Sequence, residues 1–258
     1  MLADRVNYSW RLLATGVAFA AFGIGALILA TAVIPIATFT SSDSDVRARR
    51  VQALMHASFK LFILILRAFG VIRLEVSNAE RLAQCRGHII VANHPTLLDI
   101  VLIMSLVPHA QCVVKHQLWR NPLLRQVVRE AGYVRNDLEP DLLVAKCQEK
   151  LAAGSNLIIF PEGTRSVSGL KRRLQRGFAH IATLTEVDLQ PLTITCNPMT
   201  LVKGQPWYEI PGRIPQFRIE VDKTILIKPF LDSCPRALAT RKLVSHVESY
   251  FDEKLNHG

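Results

Sequence analysis

The hydrophobic pattern splits the chain into an apolar N-terminal stretch and a longer part made of short alternating runs. The whole span from Leu12 to Phe39 is uncharged, longer than the roughly 20 residues that cross a bilayer. It is too long for a signal peptide and has no small-residue cleavage site before a polar start. A soluble helix of this composition would have no polar face to offer water. Tyr8 and Trp10 beside Arg11 suit one membrane interface. Gly16, Gly23 and Gly25 allow close packing, or a break that turns the segment back. A full crossing and a re-entrant hairpin both fit.

A polar break follows at Ser41 to Asp45, then Arg47, Arg49 and Arg50. These arginines favour the cytoplasmic side, against Arg5 and Arg11 on the other flank. Apolar residues then recur at helical spacing: Val51, Leu54, Met55, Phe59, Phe62, Ile65, Leu66 and Phe69. The spacing predicts an amphipathic helix lying on the membrane or packed on the folded domain, rather than a second span. A plain core helix fits the same spacing. The chain thus divides into a membrane segment over 1–45, an amphipathic helix over 46–70 and a folded domain over 71–258.

Within the domain the pattern predicts strands over Val71–Val76, His88–Ala92, Cys112–Val114, Leu157–Phe160, Leu192–Thr195 and Phe217–Val221. Helices are expected over Asp99–Leu106, Pro122–Ala131, Asp141–Ala153 and Lys171–Thr185. A closing amphipathic helix is expected over Pro235–Leu255, with the proline near its first turn. Strands alternating with helices imply an α/β fold with a largely buried sheet.

Composition narrows the partners. Half of the 258 residues are hydrophobic, and 31 Lys+Arg against 21 Asp+Glu leave a net charge of +10. A positive balance suits nucleic acid, phosphorylated metabolites or acidic lipid. With no zinc-finger, RNP or basic-heptad pattern, nucleic acid is not expected. The five cysteines are scattered without metal-ligand spacing, so neither a disulfide framework nor a metal site is expected, and a reducing compartment fits.

Candidate chemistry sits at strand ends. His94 follows one strand and Asp99 comes five positions later, a pair fit to be a general base and its orienting acid. Pro95 keeps His94 out of the helical region, so the pair should straddle a strand-to-helix turn with Asp99 in the first helical turn. Lys115 lies just beyond another strand, Arg135 follows Gly132 and a short extended piece, and Glu162 and Arg165 follow a strand that breaks at Pro161. Singly each has an ordinary explanation: a solvated lysine, a helix cap, half an ion pair. Arg165, Lys171, Arg172, Arg173 and Arg176 form a basic run that is either a solvated helix face or a contact for anionic groups.

Together these residues resemble a known family. Asn93-His-Pro-Thr-Leu-Leu-Asp99 is similar to the His-x4-Asp block of the glycerolipid, or lysophospholipid, acyltransferases, and Phe160-Pro-Glu-Gly-Thr-Arg-Ser166 to their Glu-Gly-Thr-Arg block. Gly132-Tyr-Val-Arg-Asn136 resembles the intervening block with its arginine one position early, so that Asn136 stands in the expected place. Gln190-Pro-Leu-Thr-Ile194 resembles the proline-centred fourth block, and Lys115 with Asn121-Pro122 the family's lysine and downstream proline. Cys112-Val-Val-Lys115 and Lys203-Gly-Gln-Pro-Trp-Tyr208 look more like the branch associated with aryl-polyene lipid clusters.

The resemblance implies a glycerol-phosphate-acyltransferase-like sheet flanked by helices. It implies transfer of a fatty-acyl group from acyl-CoA or acyl-carrier protein to a lysophospholipid such as 1-acylglycerol-3-phosphate. His94 and Asp99 would be catalytic, and Glu162, Gly163, Thr164 and Arg165, with Lys115 and Arg135, would bind substrate. Physically, Arg165 suits bidentate phosphate contact and Gly163 close backbone approach. Glu162 would orient Arg165 or a glycerol hydroxyl, and Lys115 would face a developing oxyanion. No metal and no bound cofactor is implied. The expected location is the inner (cytoplasmic) membrane, with the catalytic domain facing the cytoplasm. Competing readings are a lyso-ornithine lipid or aryl-polyene precursor as acceptor, a hydrolase, and a noncatalytic lipid-binding protein.

Overall fold

A computed structural model of the chain describes residues 2–121, 124–166 and 173–256. Helix α1 (Leu2–Ile28) continues through a π-helical turn (Leu29–Val33) into α2 (Ile34–Phe39). It passes unbroken through Gly16, Gly23 and Gly25, so the glycines do not turn the segment back. The reversal comes at residues 40–43, where the Asp43 carboxylate accepts the N–H groups of Asp45 (2.8 Å) and Val46 (3.2 Å) and caps α3 (Ser44–Ala68). Those two amides hold the Asp43 carboxyl below its ordinary pKa.

Helices α1 and α3 form a hairpin closed by aromatic contacts. Phe22 lies over Phe59 and against Phe62, with ring centroids 6.2 and 4.7 Å apart. One face of α3 buries Val51, Met55, Phe62, Ile63 and Leu66 against the domain. Its other face leaves Leu61 and Leu64 exposed. The amphipathic helix is therefore docked on the domain, and it begins seven residues before the periodic stretch at Val51. Both arms of the hairpin are long and apolar enough to cross a membrane.

The domain follows as β1 (Arg73–Ser77), α4 (Ala79–Gln84), β2 (Ile89–Ala92), α5 (Asp99–Leu106), β3 (Ala110–Val114), α6 (His116–Arg120), α7 (Arg125–Glu130) and β4 (Val134–Arg135). Then come α8 (Pro140–Ala152), β5 (Asn156–Ile159), α9 (Gly177–Thr185), β6 (Leu189–Asn197), β7 (Gln216–Val221), α10 (Lys228–Ser233) and α11 (Arg236–Asn256). The seven strands form one sheet in the order β1-β7-β6-β2-β5-β3-β4. Every pair is parallel except β6 with β7.

The helix expected over Pro122–Ala131 is observed as α7, and Pro122 lies outside the described residues. The helix expected from Lys171 begins only at Gly177. Lys171 and Arg172 lie outside the described residues, while Arg173 and Arg176 precede α9 as exposed positions, so these two do not belong to a helix face.

Successive side chains of a strand point to opposite faces, and β2 uses both. Ile90 and Ala92 enter the layer formed with α3, α5 and α7. Ile89 and Val91 enter the layer formed with α8, α9 and α11. All four are fully buried, as the centre of a two-sided parallel sheet requires.

The start of β2 is locked to the start of β5. Asn156 accepts the His88 N–H at 3.1 Å and donates to the Cys85 carbonyl at 3.0 Å. Gly87 donates to the Gly154 carbonyl at 3.3 Å. This lock goes with the register Ile89↔Leu157 and Val91↔Ile159. Three residues further along each strand, His94 faces Glu162. Gly87 has φ +67°, and a Cβ there would lie 2.7 Å from the Leu151 carbonyl oxygen. Gly154 has φ +82°, and a Cβ there would meet nothing within 4 Å. Gly154→Ala should therefore cost only the backbone strain, about 1–2 kcal/mol. Gly87→Ala should cost more, because a backbone oxygen must move as well. Chemical denaturation of the two variants in detergent checks the order, and equal losses would contradict it.

Candidate active site

Strands β2, β5, β3, β4 and β6 all end on one edge of the sheet, where the loops of an α/β fold build sites. At that edge Asn93 extends the pairing of β2 with β6 through its side chain. Its Nδ2 donates to the Ile194 carbonyl at 2.8 Å, and its Oδ1 accepts the Ile194 N–H at 2.7 Å. His94 follows, with both backbone groups taken by the block after β5. Its N–H donates to Glu162 Oε1 at 3.1 Å, and its carbonyl accepts the Ser166 N–H at 2.7 Å. Ser166 Oγ donates to both Glu162 oxygens, at 3.0 and 2.8 Å.

Asp99 opens α5 and is wholly buried. A buried carboxylate is costly unless its oxygens are filled by donors. Three fill them: His94 Nδ1 at 2.8 Å, the Thr96 N–H at 2.7 Å and Thr96 Oγ1 at 2.6 Å. The Phe160 ring stacks on the imidazole, centroids 4.1 Å apart and planes 20° from parallel. The imidazole is thus fixed in plane and direction, with Nδ1 occupied and Nε2 without a hydrogen-bond partner among the described residues. His94 keeps 19% of its side chain exposed.

Thr96 was not singled out from the sequence, although its spacing to Asp99 is that of a capping box, in which the acid reaches back to an N–H three residues earlier. Here the threonine hydroxyl donates to the acid as well. Phe160 and Ser166 were visible as motif letters, but their contacts with His94 depend on the register of two strands.

Cys196 on β6 donates its thiol to the Pro198 carbonyl, 3.4 Å away. Burial pushes this thiol up to about 12, and the charge on Asp99 pushes in the same direction. It is a protonated, structural cysteine rather than a nucleophile.

Arg165 Nη1 donates to the carbonyls of Leu201 and Val202, at 3.2 and 3.1 Å. The expected pairing in which Glu162 orients Arg165 gives way to this one, because Glu162 is engaged by His94 and Ser166. Gly163 turns the chain with φ +68°, its N–H returning to the Phe160 carbonyl at 3.0 Å, and Thr164 is exposed beside it. Lys115 and Arg135 are less close. Lys115 follows β3, and β5 stands between β3 and β2, which puts it about 10 Å from His94 at ordinary strand spacing. Arg135 is on the edge strand β4, paired with Asp137 at 2.9 and 2.6 Å, and stacks over Trp119. Asn136 Oδ1 accepts the His116 N–H at 3.0 Å.

The carbonyls that hold Arg165 belong to residues 198–215, an irregular strap joining β6 to β7. The strap also supplies the Leu201 carbonyl that accepts the Leu97 N–H at 3.0 Å. At its far end it is tied to α1. Arg11, only 3% exposed, donates to the carbonyls of Pro211 (2.9 Å) and Gly212 (2.7 Å). Trp207 packs on Gly16, where a Cβ would meet its ring at 3.3 Å. The sequence marked Arg11 and Gly16 only as features of a membrane segment.

Similarity to known proteins agrees with this geometry. A family model described as Acyltransferase matches residues 73–195. A 1-acyl-sn-glycerol-3-phosphate acyltransferase of Cocos nucifera is 36% identical over 114 residues, covering 42% of this chain and 37% of that protein. One from Helicobacter pylori is 31% identical over 124 residues, covering 46% of this chain and 52% of that protein. The crystal structure of the 1-acyl-sn-glycerophosphate (LPA) acyltransferase PlsC from Thermotoga maritima superposes with a TM-score of 0.71 at 22% identity, covering 94% of this chain and 96% of that one. From β1 into β6 the chain is thus similar to acyltransferases. The chain matches between a third and about half of the length of the first curated relatives. The likeness to the solved structure carries the fold and, at 94% of this chain, takes in most of the N-terminal hairpin.

Removing the Thr96 hydroxyl leaves a buried carboxylate oxygen without one donor. Thr96→Val should cost about 1–3 kcal/mol, and Thr96→Ser should recover most of it. Denaturant unfolding of the two variants tests this; a larger loss in Thr96→Ser than in Thr96→Val would mean that the methyl group, not the hydroxyl, matters.

Proposed function

We propose that this chain is a membrane-associated O-acyltransferase. It moves a fatty-acyl group from acyl-CoA or acyl-carrier protein to the free hydroxyl of a lysophospholipid such as 1-acylglycerol-3-phosphate. The observation that carries this reading is the contact between His94 Nδ1 and the fully buried Asp99 carboxylate, 2.8 Å, within a chain whose relatives are acyltransferases. An alcohol is almost wholly protonated at neutral pH, and a positioned imidazole is suited to removing its proton.

In the proposed reaction His94 Nε2 takes the proton of the acceptor hydroxyl as its oxygen attacks the thioester carbonyl. Asp99 holds the tautomer with the proton on Nδ1 and stabilises the imidazolium. When the tetrahedral intermediate collapses, the carbon–sulfur bond breaks and the imidazolium returns the proton to the leaving thiolate. The products are an ester and a free thiol. No enzyme nucleophile is required, in keeping with the raised pKa of Cys196. No metal or bound cofactor takes part in this scheme.

Arg165 is assigned to the phosphate of the acceptor. Its Nη1 is anchored on the strap, and the remaining N–H groups of its planar fork suit two phosphate oxygens. Glu162 is a positioning residue, holding the backbone of His94. Gly163 and Thr164 line the mouth. Arg135, already paired with Asp137, and Lys115, two strands away, are placed at the periphery, where their charge would favour the anionic donor. The hairpin would sit in the inner membrane with the domain on the cytoplasmic side. That placement is supported by Arg47, Arg49 and Arg50 in the first turns of its second arm and by five cysteines that are all unpaired.

Incorporation of labelled acyl chains into lipid by the purified protein tests the reading. His94→Ala should lower turnover by about a hundredfold or more, and Asp99→Asn should also reduce it strongly, while Cys196→Ala should leave it within severalfold. Unchanged turnover in His94→Ala would overturn the base assignment. Free fatty acid released without added alcohol would mark a hydrolase instead. Arg165→Ala should raise the acceptor KM about ten- to a hundredfold, the loss expected for charged hydrogen bonds, with the donor KM little changed.

A further inference from the structure

A second cluster of cations lies on the same sheet edge but away from His94, on the far side of β6. There the first residues of β1 and β7, the last residue of β6 and the start of α1 surround an open cavity of about 590 Å³. Arg73, Arg213, Asn7, Asn197 and Gln216 supply its polar lining, together with Pro198, Gly212 and Ile214. Among the described residues no carboxylate lines it. Glu75, two residues beyond Arg73 on the same strand, is taken by Arg218 Nε (3.1 Å) and Gln216 Nε2 (3.0 Å). Among the described residues, Arg73 and Arg213 have no hydrogen-bonding or ion-pair partner for their guanidinium groups, whereas Arg47, Arg135, Arg218 and Arg236 are each paired with an acid. Asn7 Oδ1 accepts from Arg11 Nε at 2.9 Å, which leaves its Nδ2 hydrogens free to donate. The cavity is thus rich in donors and net positive.

Its depth relative to the hairpin points to the source of the anion. Asn7 precedes Arg11 by one turn, and the uncharged stretch of α1 begins at Leu12. Tyr8 and Trp10, both exposed, stand at the same level, as aromatic side chains do at a membrane interface. An open, cationic cavity at that level faces lipid headgroups, and an arginine fork matches a phosphate.

We propose that this cavity binds the phosphate of an anionic phospholipid from the surrounding bilayer, held by Arg73 and Arg213. The site is separate from the one proposed for the acyl acceptor and does not depend on the acyltransferase reading. It is placed at the root of the strap, since Asn197 and Pro198 open that segment and Gly212 to Ile214 close it. A lipid bound there would pin both ends of the loop that anchors Arg165 through Leu201 and Val202.

The test uses the full chain in detergent, in an Arg165→Ala background so that an anion held by Arg165 does not contribute. Thermal midpoints are followed while dioctanoyl phosphatidylglycerol, dioctanoyl phosphatidylcholine or inorganic phosphate is added. Phosphatidylglycerol should raise the midpoint saturably, and phosphatidylcholine should not. In the Arg73→Gln/Arg213→Gln variant the apparent affinity should fall about thirtyfold, the effect of two cations near a membrane surface. Arg236→Gln, on the remote helix α11, should leave it unchanged. Equal responses to the two lipids, or an undiminished response in the double variant, would overturn the proposal. Saturation by inorganic phosphate at the same concentration as phosphatidylglycerol would overturn the lipid as the ligand's source.

Discussion

The alignment of β2 with β5 is the constraint on which the site depends. Each strand ends in a loop that is chemically incomplete alone. The block after β2 carries the imidazole and its acid, and the block after β5 carries the carboxylate that holds the imidazole's backbone and the ring that lies on its face. A slip of one residue would turn every side chain of a strand to the other face of the sheet. It would also take Glu162 from the N–H of His94 and Phe160 from its ring. The alignment is set at the opposite end of the strands, by Gly87 and Asn156. Residues remote from any substrate therefore decide whether the two halves meet.

Burial of Asp99 follows the same logic on a smaller scale. The carboxylate lies where water cannot reach it, so its geometry is dictated by the three donors that fill it. Two belong to Thr96, and the third is the imidazole. The acid is saturated between His94 and Asp99, so the hydrogen bond that directs the histidine ring is built into local structure.

Much of the fold was legible because its signals are local. The uncharged run, the central strands and α5 follow from periodicity and from Pro95. The short elements α4, α6, α10 and β4 span too few residues for a period to show. The glycines of α1 allowed either close packing or a break; in the structure a tight polar turn capped by Asp43 reverses the chain, and Gly16 packs closely on Trp207. In the site, spacing singled out His94 and Asp99 and the motif pointed to Glu162. What Glu162 and Arg165 touch was not legible, because their partners lie on other strands and in a strap more than thirty residues downstream. Spacing along the chain carries no information about which carbonyls a distant loop will present.

The single antiparallel pairing in the sheet has a consequence for how such a protein can change. Because β7 runs opposite to β6, the connection between them returns along the edge it started from and need not cross a buried layer. Its first residues lie beside the site, and most of the remainder is exposed or half-buried. Lengthening a loop costs little, about 0.6 kcal/mol for each doubling. Insertions and substitutions there could reshape the surroundings of Arg165 while β2 and β5 keep their pairing. The antiparallel pair thus separates the part of the fold that must stay constant from the part that can drift.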